Sequence, residues 1–178
     1  LVGSEMCIRD RLHREWLRRN PEPHGEATLR EYAKWFSNRV ERWLDEGAGC
    51  CALADPACTK TVDDALRYFD GERYDLFCSV VMPNHIHAIV KPLEDHDLDR
   101  IWESLKKFTA SELVKLGVGI RPVWFKEGYD RIVGDVDDLD RVVRCIGRNP
   151  DKVGMGREET LCRICDEWVE DGWDWGGE

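Results

Sequence analysis

Two β-rich runs stand almost end to end in this chain. Residues 74–82 read Tyr-Asp-Leu-Phe-Cys-Ser-Val-Val-Met and residues 85–91 read His-Ile-His-Ala-Ile-Val-Lys, with only Pro83-Asn84 between them. So short a link makes a strand-turn-strand unit, and strands joined that way pair antiparallel. Helical patterns flank the unit. Leu29, Tyr32, Trp35, Phe36, Val40, Trp43 and Leu44 recur at helical spacing, predicting a helix over 26–46 that ends at Gly47-Ala48-Gly49. The short apolar run 50–54 reads as a strand. Asp55-Pro56 is an N-cap followed by a first helical residue, opening a helix to about Phe69, and Asp70-Gly71 turns the chain. A helix at 97–116, capped by Asp97, carries Leu98, Ile101, Trp102, Leu105, Phe108, Leu113 and Leu116 on one side. Residues 123–133 read as one strand or two short ones. Asp135 caps a helix at 136–148 with Leu139, Val142, Val143 and Ile146 inward, stopped by Asn149-Pro150. Together these predict an α+β sandwich with a central antiparallel sheet and helices packed on it.

With 178 residues the chain suits one domain. No stretch approaches the ~20 apolar residues of a membrane span. Apolar residues at 42% and eight Trp exclude a mainly disordered chain. The net charge of −10 is unusual for a nucleic-acid binder, yet it is uneven. Residues 98–153 hold 11 basic and 10 acidic groups, whereas 154–178 hold 2 and 8. Eight cysteines without the apolar segment of a signal peptide predict free thiols in a reducing cytoplasm. The opening Leu-Val-Gly-Ser-Glu-Met-Cys-Ile-Arg-Asp-Arg matches the in-frame translation of a transposon-end sequencing adapter. Residues 1–11 are therefore expected to be foreign to the fold and the natural N-terminus to be missing. A domain over 12–155 is expected to be followed by an acidic, Trp-rich tail over 156–178.

The chemistry concentrates at Pro83-Asn84-His85-Ile86-His87-Ala88-Ile89-Val90. Alternate strand residues share a face, so His85 and His87 project together, away from Ile86 and Ala88. Two imidazoles on a rigid strand suit a divalent metal with open positions for substrate. A bare His-x-His is more often a pair of surface histidines.

The pair sits in a longer pattern. Residues 81–90, the helix bearing Lys106-Lys107-Phe108-Thr109, the run 123–133 and the helix ending Arg-Asn-Pro-Asp-Lys-Val-Gly-Met follow in order. This resembles the REP-associated tyrosine transposases, single-strand DNA transposases of the HUH superfamily, over about residues 14–155. The resemblance implies a ferredoxin-like α+β sandwich with a central antiparallel sheet. It implies Mg²⁺ or Mn²⁺ on His85 and His87, polarising the scissile phosphate. It also implies a tyrosine on a late helix, which attacks to leave a 5′-phosphotyrosine and a free 3′-hydroxyl. The partner would be single-stranded DNA, a hairpin or a REP-like palindrome, with no membrane, and the protein a monomer, with a dimer as the alternative.

The family's late helix carries Tyr-Ile-x-x-Asn-Pro, and this chain reads Cys145-Ile146-Gly147-Arg148-Asn149-Pro150. Asn149 matches a third metal ligand, one helical turn after 145. Cys145 stands where the tyrosine nucleophile belongs, and Tyr32, Tyr68, Tyr74 and Tyr129 all lie outside this helix. Three accounts stay open: a single-base sequencing error, a decayed or domesticated copy that binds DNA without cutting it, and a working cysteine whose shorter side chain serves poorly. Tyr129 as a substitute lacks a motif.

Lys106, Lys107, Lys126, Arg131, Arg144 and Arg148 are candidate phosphate contacts, with Arg144 and Arg148 four apart as one cationic stripe. For any one of them a solvated helix face is an equal reading. Cys162-x-x-Cys165 has zinc spacing without a second pair, and reads as thiols on an amphipathic tail helix whose Trp168, Trp173 and Trp175 pack back on the domain. A nucleotide phosphoesterase using His85 and His87 is a further alternative, weakened by Ile89 where a third histidine would fall.

Overall fold

The computed structural model of the chain describes residues 16–21, 23, 25, 27–28, 31–32, 35, 39, 42, 44, 46–47, 51–119, 122–124, 132–156 and 160–175. They fall into two compact units, Leu1–Gly49 and Cys50–Glu178. In the first, Trp16–Arg19 and every described residue from Ala27 to Leu44 are helical. The helical spacing brings the Tyr32 and Trp35 rings to 6.4 Å and sets the Arg39 guanidinium 5.0 Å from the Trp35 ring.

The second unit runs in order through a single 3₁₀ turn at Ala52–Ala54, α1 at Pro56–Tyr68, β1 at Tyr74–Val81, β2 at Ile86–Pro92 and α2 at Leu98–Lys115. It continues through α3 at Val136–Gly147, α4 at Asn149–Lys152, β3 at Leu161–Ile164 and α5 at Asp166–Glu170. The helix starts fall where short acidic side chains can accept from orphan backbone N–H groups. Asp55 accepts from Ala57 and Cys58, Asp97 from Arg100 and Asp135 from Asp138. The fold class is α+β, with a three-stranded antiparallel sheet among the described residues, in the order β2-β1-β3.

Helices cover both faces of that sheet. On one, Val62 and Leu66 of α1 and Ile101, Leu105 and Leu113 of α2 pack with Leu76, Val81, Ile86, Ala88 and Val90. On the other, Val143 and Ile146 of α3 pack with Cys78, Val80, Met82 and Ile89, joined by Trp168, Trp173 and Trp175. β1 supplies both cores because its register shifts between Leu76 and Cys78. The extra residue, Phe77, moves the even-numbered side chains from the first face to the second, which is what a β-bulge does.

Several expectations change. Residues 52–54 form a 3₁₀ turn, not a strand. The Ala-rich run lacks β-branched residues, and its carbonyls accept locally, from Ala54 to Cys51 and from Asp55 to Ala52. Residues 122–124 are bends, and 125–131 lie outside the described residues. Phe108 and Leu116 are 55% and 49% exposed. The buried stripe of α2 runs through Ile101, Leu105, Thr109 and Leu113 instead. Thr109 holds that place because its hydroxyl donates to the Leu105 carbonyl and accepts from the Trp124 indole, each at 2.8 Å. The tail is not a helix at Cys162: this residue lies in β3, and Cys165 precedes α5. Its three tryptophans do pack back on the domain, with Trp168 stacked on Phe77 at 4.6 Å.

Candidate metal centre

β2 carries His87, and His85 stands just before its first residue, Ile86. His87 pairs with Val80 across the strands, and Met82 N–H donates to the His85 carbonyl at 2.9 Å, closing the turn over Pro83-Asn84. Cross-strand partners share a face, so both imidazoles lie on the sheet face that α3 covers, while Ile86 and Ala88 pack with α1 and α2. The strand alternation predicted from sequence is therefore present.

The two rings meet edge to face, and their Nε2 atoms lie 2.9 Å apart. Asn84 Oδ1 is 2.7 Å from His85 Nδ1. An amide oxygen only accepts, so the proton of His85 sits on Nδ1 and its Nε2 keeps a lone pair. His87 is held neutral: burial first, then His85 and the Lys152 charge, push it down to about 3. A neutral imidazole is the form that ligates metals. With metal–nitrogen bonds of about 2.1 Å, cis ligands at a right angle stand about 3.0 Å apart. His85 Nε2 accepts from His87 Nε2–H, and the pair fits a divalent cation once that proton moves to His87 Nδ1.

Asn149 stands where α3 gives way to α4. Asn149 is fully buried, and its Nδ2 donates to the Cys145 carbonyl at 3.1 Å, bridging the break between the two helices. Its Oδ1 accepts from Lys152 Nζ at 2.9 Å. The expected stop at Asn149-Pro150 is thus a break after which one further helical turn follows. Gly147 is required at its place: a Cβ there would lie 2.5 Å from Cε3 of the Trp175 ring. No third His, Cys, Asp or Glu among the described residues forms a group of three with the pair. Cys162 and Cys165 likewise join no such group.

The other expected residues that are described are spread over both sheet faces. The Cys145 side chain is exposed on α3, one turn before Asn149. Arg144 is ion-paired with Asp140 at 2.8 Å, and Arg148 is exposed at the C-cap of α3. Lys106 and Lys107 are on α2, which packs on the opposite sheet face from α3. Lys126, Arg131 and Tyr129 lie outside the described residues. Two contributors escaped the sequence reading: Asn84, inside the turn dipeptide, and Lys152, beyond the proline taken as a stop.

No helix among the described residues is long and apolar enough to cross a membrane. No family model, no curated protein and no solved structure matches the chain.

Proposed function

We propose that the chain is a transposase-like DNA-binding protein of the HUH type. Its sheet is the centre of a ferredoxin-like sandwich, and His85, His87 and Asn149 hold Mg²⁺ or Mn²⁺. One observation carries the reading. Two imidazole Nε2 atoms 2.9 Å apart share a sheet face with α3, which bears position 145 and is followed directly by Asn149 at the start of α4. When bound, the cation polarises a scissile phosphate.

The chain's own residues do the rest. Asn84 keeps the His85 proton on Nδ1. α3 presents residue 145 at the nucleophile's position, one turn from Asn149. A tyrosine there would bond its oxygen to phosphorus as the bond to the 3′-oxygen breaks, and that oxygen takes up a proton. Cys145, with its shorter reach, leaves strand cleavage impaired. The partner is a DNA hairpin with single-stranded flanks, with Arg148, Lys106, Lys107, Lys126 and Arg131 as phosphate contacts and Arg144 partly neutralised by Asp140. The protein is a cytoplasmic monomer in this reading.

A second reading, hairpin binding without cleavage, is favoured by the described tyrosines. Tyr32 is in the first unit, Tyr68 ends α1, and Tyr74 is buried with its hydroxyl on the Leu66 carbonyl. None of these is on α3.

Covalent capture separates the two. The chain and its Cys145→Tyr variant are each incubated with Mn²⁺ and labelled hairpin oligonucleotides, then run on a denaturing gel. The expected result is an adduct from the tyrosine variant alone. Binding by both with an adduct from neither supports the second reading. Neither binding nor adduct overturns both.

A further inference from the structure

α4 brings a cation to a site built for another cation. Lys152 Nζ sits 2.9 Å from Asn149 Oδ1, the oxygen that would be the third ligand. The ammonium already occupies that ligand oxygen, and its charge opposes a dication seeking the same oxygen. The side chain nevertheless sits on an exposed part of α4, where it can turn outward. An ammonium binds an anionic phosphate oxygen more strongly than a neutral amide oxygen, because both partners are then charged.

We propose that Lys152 couples metal binding to DNA binding. Without DNA it opposes the divalent cation. A phosphodiester oxygen that takes up its ammonium frees Asn149 Oδ1 and removes the repulsion, so each ligand strengthens the other. The coupling is reciprocal, as any linkage between two binding equilibria is. This rests on the metal reading above, and deepens it by making phosphate the condition for tight metal binding. Arg148 and Arg144 cannot replace Lys152 in this role on the present geometry: Arg144 is turned to Asp140, and the hydrogen bond to Asn149 Oδ1 comes from Lys152.

Isothermal titration of Mn²⁺ into the full chain tests it, with and without a saturating hairpin oligonucleotide. Three proteins are compared: unaltered, Lys152→Met and His85→Ala, each checked for an unchanged circular dichroism spectrum. Lys152→Met is expected to bind Mn²⁺ roughly fivefold tighter in the absence of DNA, the effect of about one exposed charge interaction. DNA is expected to raise the Mn²⁺ affinity of the unaltered chain by a similar factor and that of Lys152→Met hardly at all. Lys152→Arg, which keeps the charge and the donors, is expected to retain the coupling. Equal Mn²⁺ affinity in the unaltered and Lys152→Met chains, or weaker binding in the variant, overturns the coupling while the metal centre stands. Mn²⁺ binding that survives His85→Ala, or is absent from both the unaltered and Lys152→Met chains, overturns the metal reading and the coupling with it.

Discussion

Asn84 decides which nitrogen of His85 faces the site. Its Oδ1, 2.7 Å from Nδ1, can only accept, so Nε2 turns its lone pair toward His87. Remove that acceptor and the proton is free to sit on either nitrogen, and a fraction of the rings no longer offers a lone pair. Asn84→Ala is therefore expected to weaken Mn²⁺ binding roughly tenfold, in the range known for outer-shell partners of metal histidines. Asn84→Asp keeps an acceptor and should retain affinity. Calorimetry at neutral pH checks both, and equal affinity for all three proteins would remove Asn84 from the site. The histidines were legible because a period of two survives in any strand. Asn84 was not, since Pro-Asn is also an ordinary turn dipeptide with no need of a side-chain role. Lys152 was hidden by the opposite fault: Asn149-Pro150 ends α3, and a proline is just as well tolerated in the first turn of the helix that follows.

At the scale of elements, the three aspartate caps made the starts of α1, α2 and α3 readable from local chemistry alone. The bulge at Phe77 and the strand β3 were not, because both are settled by partners distant in sequence. β3 has only four residues, with Cys162 and Ile164 turned to one core and Arg163 to the other face. That alternation is too short to outweigh the charged tail around it. Arg163 instead finds its reason in α1: its guanidinium grips the buried Asp63 carboxylate at 2.8–3.0 Å, a hundred residues away in the chain. The pair is asymmetric, since Asp63 is almost fully buried whereas the Arg163 side chain is 42% exposed. Losing Arg163 strands a carboxylate in the interior, but losing the carboxylate charge leaves a cation that water can reach. Arg163→Ala is expected to cost about 3 kcal/mol and Asp63→Asn, which keeps an acceptor oxygen, about 1 kcal/mol. Urea unfolding of the two variants gives the order directly, and equal losses would mean that β3 is held by its backbone pairing alone.

At the scale of the whole second unit, its described residues form two cores on opposite faces of the three-stranded sheet, and each contains a weak acid that burial keeps protonated. Cys78 lies in the core under α3, Tyr74 in the core under α1 and α2. Burial, with smaller contributions from Cys165 and Cys162, pushes the Cys78 thiol from 9.0 up to about 12. Burial and the Asp70 charge push the Tyr74 phenol from 10.0 up to about 12, against a smaller opposing effect of Arg73. In the unfolded chain both groups ionise at their ordinary values, so alkali draws protons from the unfolded state first and favours it. The stabilisation is thus complete below pH 9 and disappears as pH rises toward 12. Cys78 begins the decline near pH 9 and Tyr74 adds to it from pH 10, each at up to about 1.4 kcal/mol per pH unit. By pH 11 the two together remove up to about 4 kcal/mol, a large share of the 5–15 kcal/mol typical of a domain. Urea midpoints measured from pH 8 to 11 should fall along this course. Cys78→Ala removes the earlier ionisation, so its midpoint should hold steady until about pH 10. Because the acids lie on opposite faces, failure of either core separates the sheet from its helices, and α3 leaves the sheet face that carries the histidine pair. Mn²⁺ binding and the cooperative unfolding signal should therefore be lost over the same alkaline interval. Metal binding that persists after the tryptophan fluorescence has reached its unfolded value would place the site outside this cooperative unit.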